Sequence, residues 1–174
     1  MLITKEDLQT YTGVRPDEEF NQQDLYIQSA ENIVINYLRY DPSINDYICF
    51  VNVDNQTDSI YLPAKPIQEI KSIKINGNEE NIENYFFRNG SIFIKNGNLK
   101  NGNYEISFIA GFEEIPAIIK LTILRIAGIL QTESNGNIGI TSKSFSESGN
   151  RTFVNTTNFD KYLILLSDYR ILED

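Results

Sequence analysis

The residues best placed to do chemistry in this 174-residue chain are its acids. They gather as Asp17-Glu18-Glu19, Glu79-Glu80 and Glu113-Glu114, and two carboxylates facing each other across a cleft can split a glycosidic bond by paired acid–base work. Adjacent acids at turns and helix starts are more simply solvated caps, because a carboxylate complements the positive end of a helix. Gly136-x-x-Gly139 resembles a fragment of a phosphate loop, yet no Gly-Lys-Ser/Thr follows to meet phosphates and their metal. The single Cys49 lies in the apolar run Tyr47-Ile48-Cys49-Phe50-Val51. One thiol makes no internal disulfide or cysteine cluster, and it reads as a small buried hydrophobe in a strand. There is no His. That removes Ser-His-Asp and Cys-His catalysis and every His-containing zinc site. The expectation is a chain with no catalytic, cofactor-binding or metal-ligating residues and no cofactor, one that binds other protein chains and is not an enzyme.

Charge points the same way. The formal net charge is -9, and Lys and Arg are scattered singly, whereas a protein that grips nucleic acid by its phosphates carries a basic stripe. An acidic wall suits a passage through which DNA slides without sticking. No apolar run approaches the ~20 residues of a bilayer span, and Met1 to Asp7 lack the basic end and apolar centre of a signal peptide. The reading is a soluble protein made in a cytoplasm, with no membrane partner.

Helical and β-type periodicities divide the chain. Thr4-x-x-Asp7 has the form of a capping box and opens a short helix ending near Gly13. A second helix follows Pro16, with Ile27, Ala30, Ile33, Val34, Tyr37 and Leu38 on one buried stripe, and stops before Asp41-Pro42. From Tyr47 to Phe108 the period becomes two, clearest in Tyr104-Glu105-Ile106-Ser107-Phe108. Four Asn-Gly pairs punctuate this region and predict an antiparallel meander of short strands. Ile67 and Ile70 fall out of phase, which predicts a bulge or turn between them. Pro116 starts a helix to about Gln131, apolar on nearly every side, as suits a core helix or one that also meets another subunit. Residues 132–157 are polar, glycine-bearing and nearly uncharged, a long loop of the kind that is either functional or disordered. A last helix opens near Phe159 and runs to Leu172. The fold class is α+β: a helical core with a small inserted antiparallel β-meander and a long extended loop.

Several strings resemble the head–tail connector, or adaptor, proteins of tailed bacteriophages, the head-completion rings beneath the portal. They are Asn36-Tyr37-Leu38; Pro66-Ile67-x-x-Ile70-x-x-Ile73; and Phe108-Ile109-Ala110-Gly111-Phe112-x-x-Ile115-Pro116. The most telling are Ile138-Gly139-Ile140-Thr141-Ser142-x-Ser144-Phe145 and Ser148-Gly149-x-Arg151-Thr152-Phe153, followed by Tyr169-Arg170-Ile171-Leu172. The sheet region is large for the minimal helical members, and Glu147 stands where the pattern leads one to expect Asp.

The resemblance implies one adaptor-type domain over 1–174, with helical parts 1–40 and 113–174, a β-rich insertion at about 45–110 and the loop at about 132–157. It implies a structural protein of the virion neck, at the portal vertex, made in the host cytoplasm. The partners would be itself in a closed ring of about twelve copies, the portal protein, and a stopper or tail-completion protein, with DNA passing non-specifically through the bore. Ile140, Ser142, Phe145, Arg151 and Phe153 are the expected inter-subunit or channel-side contacts. Leu163, Leu166, Tyr169, Arg170 and Leu172 are expected to dock on the portal side, the arginines because a guanidinium fork suits a specific partner. The alternatives are another tail-completion or contractile-particle subunit, or a stand-alone α+β binding module using loop 132–157.

Overall fold

The computed structural model describes residues 1–13, 22–53, 58–88, 90–134, 142–145, 149–152 and 159–171. The chain forms two compact units, one from Met1–Tyr37 with Pro116–Arg170 and one from Leu38–Ile115 with Ile171–Asp174. The first is helical and the second is built of antiparallel sheet, so the class is α+β as the periodicities indicate.

In the helical unit, α1 spans Lys5–Thr12 and is closed at both ends. The Asp7 N–H donates to Thr4 Oγ1 at 3.1 Å, and Asp7 Oδ2 accepts from the Thr4 N–H at 2.8 Å. Gly13 ends the helix at φ 71, a conformation glycine adopts without a Cβ clash. The second helix, α2 (Gln23–Leu38), buries Ile27, Ala30, Val34 and Leu38, while Ile33 and Tyr37 on its flanks are half-buried. Glu31 is also buried on this stripe, its carboxylate accepting from the backbone N–H groups of Leu2 and Ile3, which fixes the start of the chain. Lys5 and Asp24 pair at 2.7 Å, and Gln9 donates to Gln23 at 3.0 Å, tying α1 to α2. The apolar helix α3 (Ala117–Ser134) follows Pro116, whose carbonyl accepts from Ile119 and Lys120. Its buried positions, Ile119, Thr122, Ile123, Ile126, Ala127 and Gln131, recur at three and four. Ile118, Leu121, Leu124, Ile129 and Leu130 are only half-buried. Helix α1 packs on α3, where Gly128 leaves room for Tyr11 and Thr12.

Two segments of this unit depart from expectation. Residues 132–157 are not one irregular loop. Helix α3 continues to Ser134, and β8 (Ser142–Phe145) pairs antiparallel with β9 (Gly149–Thr152), so backbone groups are satisfied within a hairpin. The C-terminal helix is also shorter than its apolar pattern indicates. α4 (Asp160–Leu163) tightens into a 3-10 helix over Ile164–Tyr169, and Arg170 is extended. The extended turn carries the Ile171 N–H to the Leu38 carbonyl at 3.1 Å, a helix-end acceptor with no partner inside its own helix.

In the sheet unit, β1 (Asn45–Val53), β3 (Ile67–Ile75), β4 (Asn78–Glu79) and β7 (Gly102–Ala110) form a four-stranded sheet ordered β1-β7-β3-β4. A second sheet is ordered β2-β6-β5, from Ser59–Tyr61, Ser91–Ile94 and Tyr85–Arg88. This corrects the expected meander: consecutive pairing occurs only in the β3–β4 and β5–β6 hairpins. The Asn-Gly signals fix those local turns, Asn76 and Gly77 both taking the positive φ of a type I′ turn. The non-local order follows from matching of faces. Strand β7 presents Tyr104, Ile106, Phe108 and Ala110 to the core, and Ile75, Ile73, Ile70 and Ile67 of β3 stand opposite those four residues. Register shifts between Ile67 and Glu69 and between Ile70 and Ser72 make this possible, each letting β3 advance one residue more than β7. The spacing of three between isoleucines is thus a bulged strand. On the other side Tyr47 stacks on Phe108 at 5.4 Å.

Gly111 fixes where β7 ends. Its φ is 122, and a Cβ there would lie 2.1 Å from the Ser43 carbonyl oxygen. Its N–H donates to Pro66 and that of Phe112 to Pro42, joining three chain segments at one point.

Two measurements check this account. Gly111→Ala loses at least about 3 kcal/mol, a fall of roughly 6–12 °C in Tm at the usual scale for this size, in thermal unfolding. Thr4 holds the Asp7 carboxyl below its usual range, first through its backbone N–H and then through its hydroxyl. A depressed acid stabilises the fold above its unfolded pKa of 3.8 and loses that contribution as pH falls through the lowered value. Asp7→Asn therefore costs roughly 0.5–1 kcal/mol at neutral pH, and the difference from wild type closes in acid titration below that range.

Candidate assembly surfaces

The groups able to do chemistry are dispersed and quiet. Glu113 and Glu114 are exposed neighbours on the surface, and Glu80 pairs with Lys100 at 2.9 Å. Asp17, Glu18 and Glu19 lie outside the described residues. Cys49 is half-buried on β1, and burial pushes its thiol up to about 11, where it stays protonated and unreactive near neutral pH. Burial likewise pushes the Tyr85 phenol up to about 12. An open groove of about 680 Å³ lies along Phe50, Asn52, Asn76, Asn103 and Glu105, and its one carboxylate is held by Lys74 at 2.7 Å. Among the described residues no three His, Cys, Asp or Glu side chains come together as a metal site, and no helix is long and apolar enough to cross a membrane.

What the surface does offer is exposed apolar side chains on ordered elements. Leu163 and Leu166, expected as docking residues, are buried at 9% and 0% exposure. The α4 and 3-10 segments pack them against α3, so they hold the C-terminal segment in place and present nothing to a partner. Their neighbours Ile164 and Leu165 are 63% and 46% exposed. With Lys161 and Asp168, also exposed, they recur at three and four and form the outer stripe of the segment. Tyr162 lies under two cations, Lys161 at 4.8 Å and Arg125 at 5.8 Å from its ring centroid. Tyr169 and Arg170 are half-buried, the guanidinium 5.0 Å above the Tyr37 ring, and Leu172 lies outside the described residues.

Of the expected inter-subunit residues, Ser142 and Phe145 fall on β8 and Arg151 on β9, where it stands opposite Lys143. The hairpin brings these three positions together; Ile140 and Phe153 lie outside the described residues. A further surface was not singled out from the sequence. In β1 none of Tyr47, Ile48, Cys49, Phe50 and Val51 is buried, and Ile48 and Phe50 are 63% and 76% exposed. The signal was present in the run itself, which is apolar at five successive positions where a strand with one wet face alternates.

The family model for head completion proteins matches residues 1–166. The chain belongs to that family. This head completion protein also shares its fold with chains of gene transfer agent (GTA) particles. One, in the neck of an empty GTA particle computed with C6 symmetry, is 11% identical with a TM-score of 0.64, over 99% of this chain and 91% of that one. A second, in the virion of a native gene transfer agent particle, is 11% identical with a TM-score of 0.62, over 96% and 90% of the two chains. A third, in the neck of a native GTA particle computed with C12 symmetry, is 12% identical with a TM-score of 0.59, over 88% and 84%. No curated protein matches the chain.

Placement of the C-terminal leucines gives a direct test in this head completion protein. Leu166→Ala costs about 2–5 kcal/mol in denaturant unfolding, as truncation of a fully buried Leu does. Ile164→Ala and Leu165→Ala stay within about 0.5 kcal/mol of wild type.

Proposed function

We propose that this head completion protein is a structural, non-catalytic subunit of the neck of a phage or phage-like particle. In this reading it forms a ring between the portal and the stopper or tail, extends the DNA channel and provides the platform on which the tail side docks. The observation that carries the proposal is family membership over 1–166, joined to a fold shared along nearly the whole chain with a protein from a particle neck. Ring closure is proposed because the related necks were computed with cyclic symmetry, and because a head-to-tail contact between identical copies closes on itself when the rotation allows.

The chemistry of the chain fits this role. A net charge of -9 disfavours the counterion release that makes proteins hold DNA, so a bore built from it lets DNA move. Within the ring the whole chain acts as one adaptor-type domain. The segment bearing Ile140, Ser142, Phe145, Arg151 and Phe153 meets a neighbouring copy or the channel. Portal docking falls to the C-terminal segment through Ile164, Leu165, Tyr169, Arg170 and Leu172, with Leu163 and Leu166 anchoring it from within.

Removing the gene from producing cells tests the proposal. The expected outcome is heads and tails that accumulate separately on a density gradient, with full assembly restored by the gene in trans. Complete tailed particles formed without the chain overturn the neck role.

A further inference from the structure

Strand β1 is the edge of the four-stranded sheet and pairs with β7 over nine successive positions with no register shift. Natural edges are blunted by Pro, Lys, bulges or brevity. β1 has none of these: its sequence is Asn-Asp-Tyr-Ile-Cys-Phe-Val-Asn-Val. Its five-residue apolar run faces both sides of the sheet, the pattern of a strand with neighbours on both edges. The edge is also nearly neutral in a strongly acidic chain. Asp46 is engaged by Lys71, and Glu105 on the adjoining strand by Lys74. An acidic copy of the same chain meets little repulsion there.

Besides the two four-residue strands of the β8–β9 hairpin, which carry Lys143 and Arg151 at one register position, the described residues hold three other sheet edges. β2 is three residues long and uncharged, and β4 is two residues long and carries Glu79. β5 (Tyr85–Arg88) is different. Phe86 and Phe87 are 44% and 45% exposed, and it ends in the exposed Arg88, which has no acidic partner among the described residues. We infer that, in the ring proposed above, the β1 edge of each copy pairs antiparallel with the β5 edge of the next.

The register follows from charge and face. Asp46 keeps its side chain 73% exposed beside Lys71, which leaves room for a second cation, and placing Arg88 opposite it sets Phe87 against Tyr47, Phe86 against Ile48 and Tyr85 against Cys49. Side chains then agree in parity. Phe87 and Tyr85 share the face of the buried Ile92 and Ile60, and Tyr47 and Cys49 share the face of the buried Phe108 and Ile106. Phe86 and Ile48 meet on the outer faces, as an aromatic and a β-branched residue opposed across strands. Because the two edges differ, the contact is head-to-tail and propagates around a ring. Four residue pairs bury far less than the ~800 Å² per partner of a stable complex. The contact is therefore weak between two free copies, strengthens when the ring closes, and is trapped by a disulfide when the chain is concentrated.

The inference rests on the ring reading, and cysteine cross-linking separates the two. The variant Cys49→Ser with Ile48→Cys and Phe86→Cys is produced in particle-forming cells, oxidised, and run on a non-reducing gel. The expected result is a ladder of multimers, with monomer alone when either new cysteine is present singly. Asp46→Lys or Arg88→Glu added to this variant lowers the cross-linked fraction at least about tenfold, and the two together restore it. A variant that enters particles yet stays monomeric, or a ladder that stops at dimer, overturns the edge pairing and leaves the neck reading standing. Wild-type chain absent from particles overturns the neck reading. The concentrated purified double-cysteine chain then decides the pairing by the same gel, a ladder supporting it and monomer overturning it.

Discussion

The inward face of β7 is the constraint on which the sheet unit depends. Tyr104, Ile106, Phe108 and Ala110 are at most 1% exposed, and two nine-residue strands register on them from opposite sides. A one-residue slip on either side would turn an entire set of apolar residues to water. The bulges in β3 are therefore obligatory, since its isoleucines are spaced at three, three and two. Gly111 then terminates β7 where the chain at Ser43 comes too close for any side chain. Ion pairs join the sheet's strands on the outer face, Lys71 with Asp46 and Lys74 with Glu105, and the apolar edge residues Ile48 and Phe50 are left exposed.

Much of this was legible in the sequence because it is local. The capping box at Thr4, the stop at Gly13, the alternation of β7, the bulge near Ile67 and the type I′ turn at Asn76-Gly77 depend on residues close together in the chain. Strand order did not follow. Asn-Gly pairs report hairpins, and a meander is what hairpins alone would build. That β1 joins β7 rather than its sequence neighbour is decided by which apolar faces match at a distance, which no short window contains. The same limit explains Glu31. An acid on an apolar helical stripe carries no local sign that the backbone of Leu2 and Ile3 will bind it.

The candidate surfaces were half legible. The C-terminal segment is recognisable as apolar, but the family resemblance offers its leucines to a partner, whereas packing of this segment on α3 buries Leu163 and Leu166. Leu163 and Leu166 point inward, and Ile164 and Leu165 are the ones left exposed. In β1 the unbroken apolar run identifies a strand, but Cys49 is only half-buried there, because five apolar residues in succession need cover on both faces. A monomer supplies only part of that cover. Exposed apolar residues on rigid elements, an acidic composition and no activated nucleophile among the described residues together describe a part made to be assembled.

Imaging the portal vertex of the particle that carries this chain, with cyclic averaging, tests the central claim most directly. The account predicts a ring between portal and tail into which the two units of this fold fit, repeated around the channel axis. A neck whose density is fully assigned to other chains, with this one elsewhere in the particle or missing from it, would contradict it.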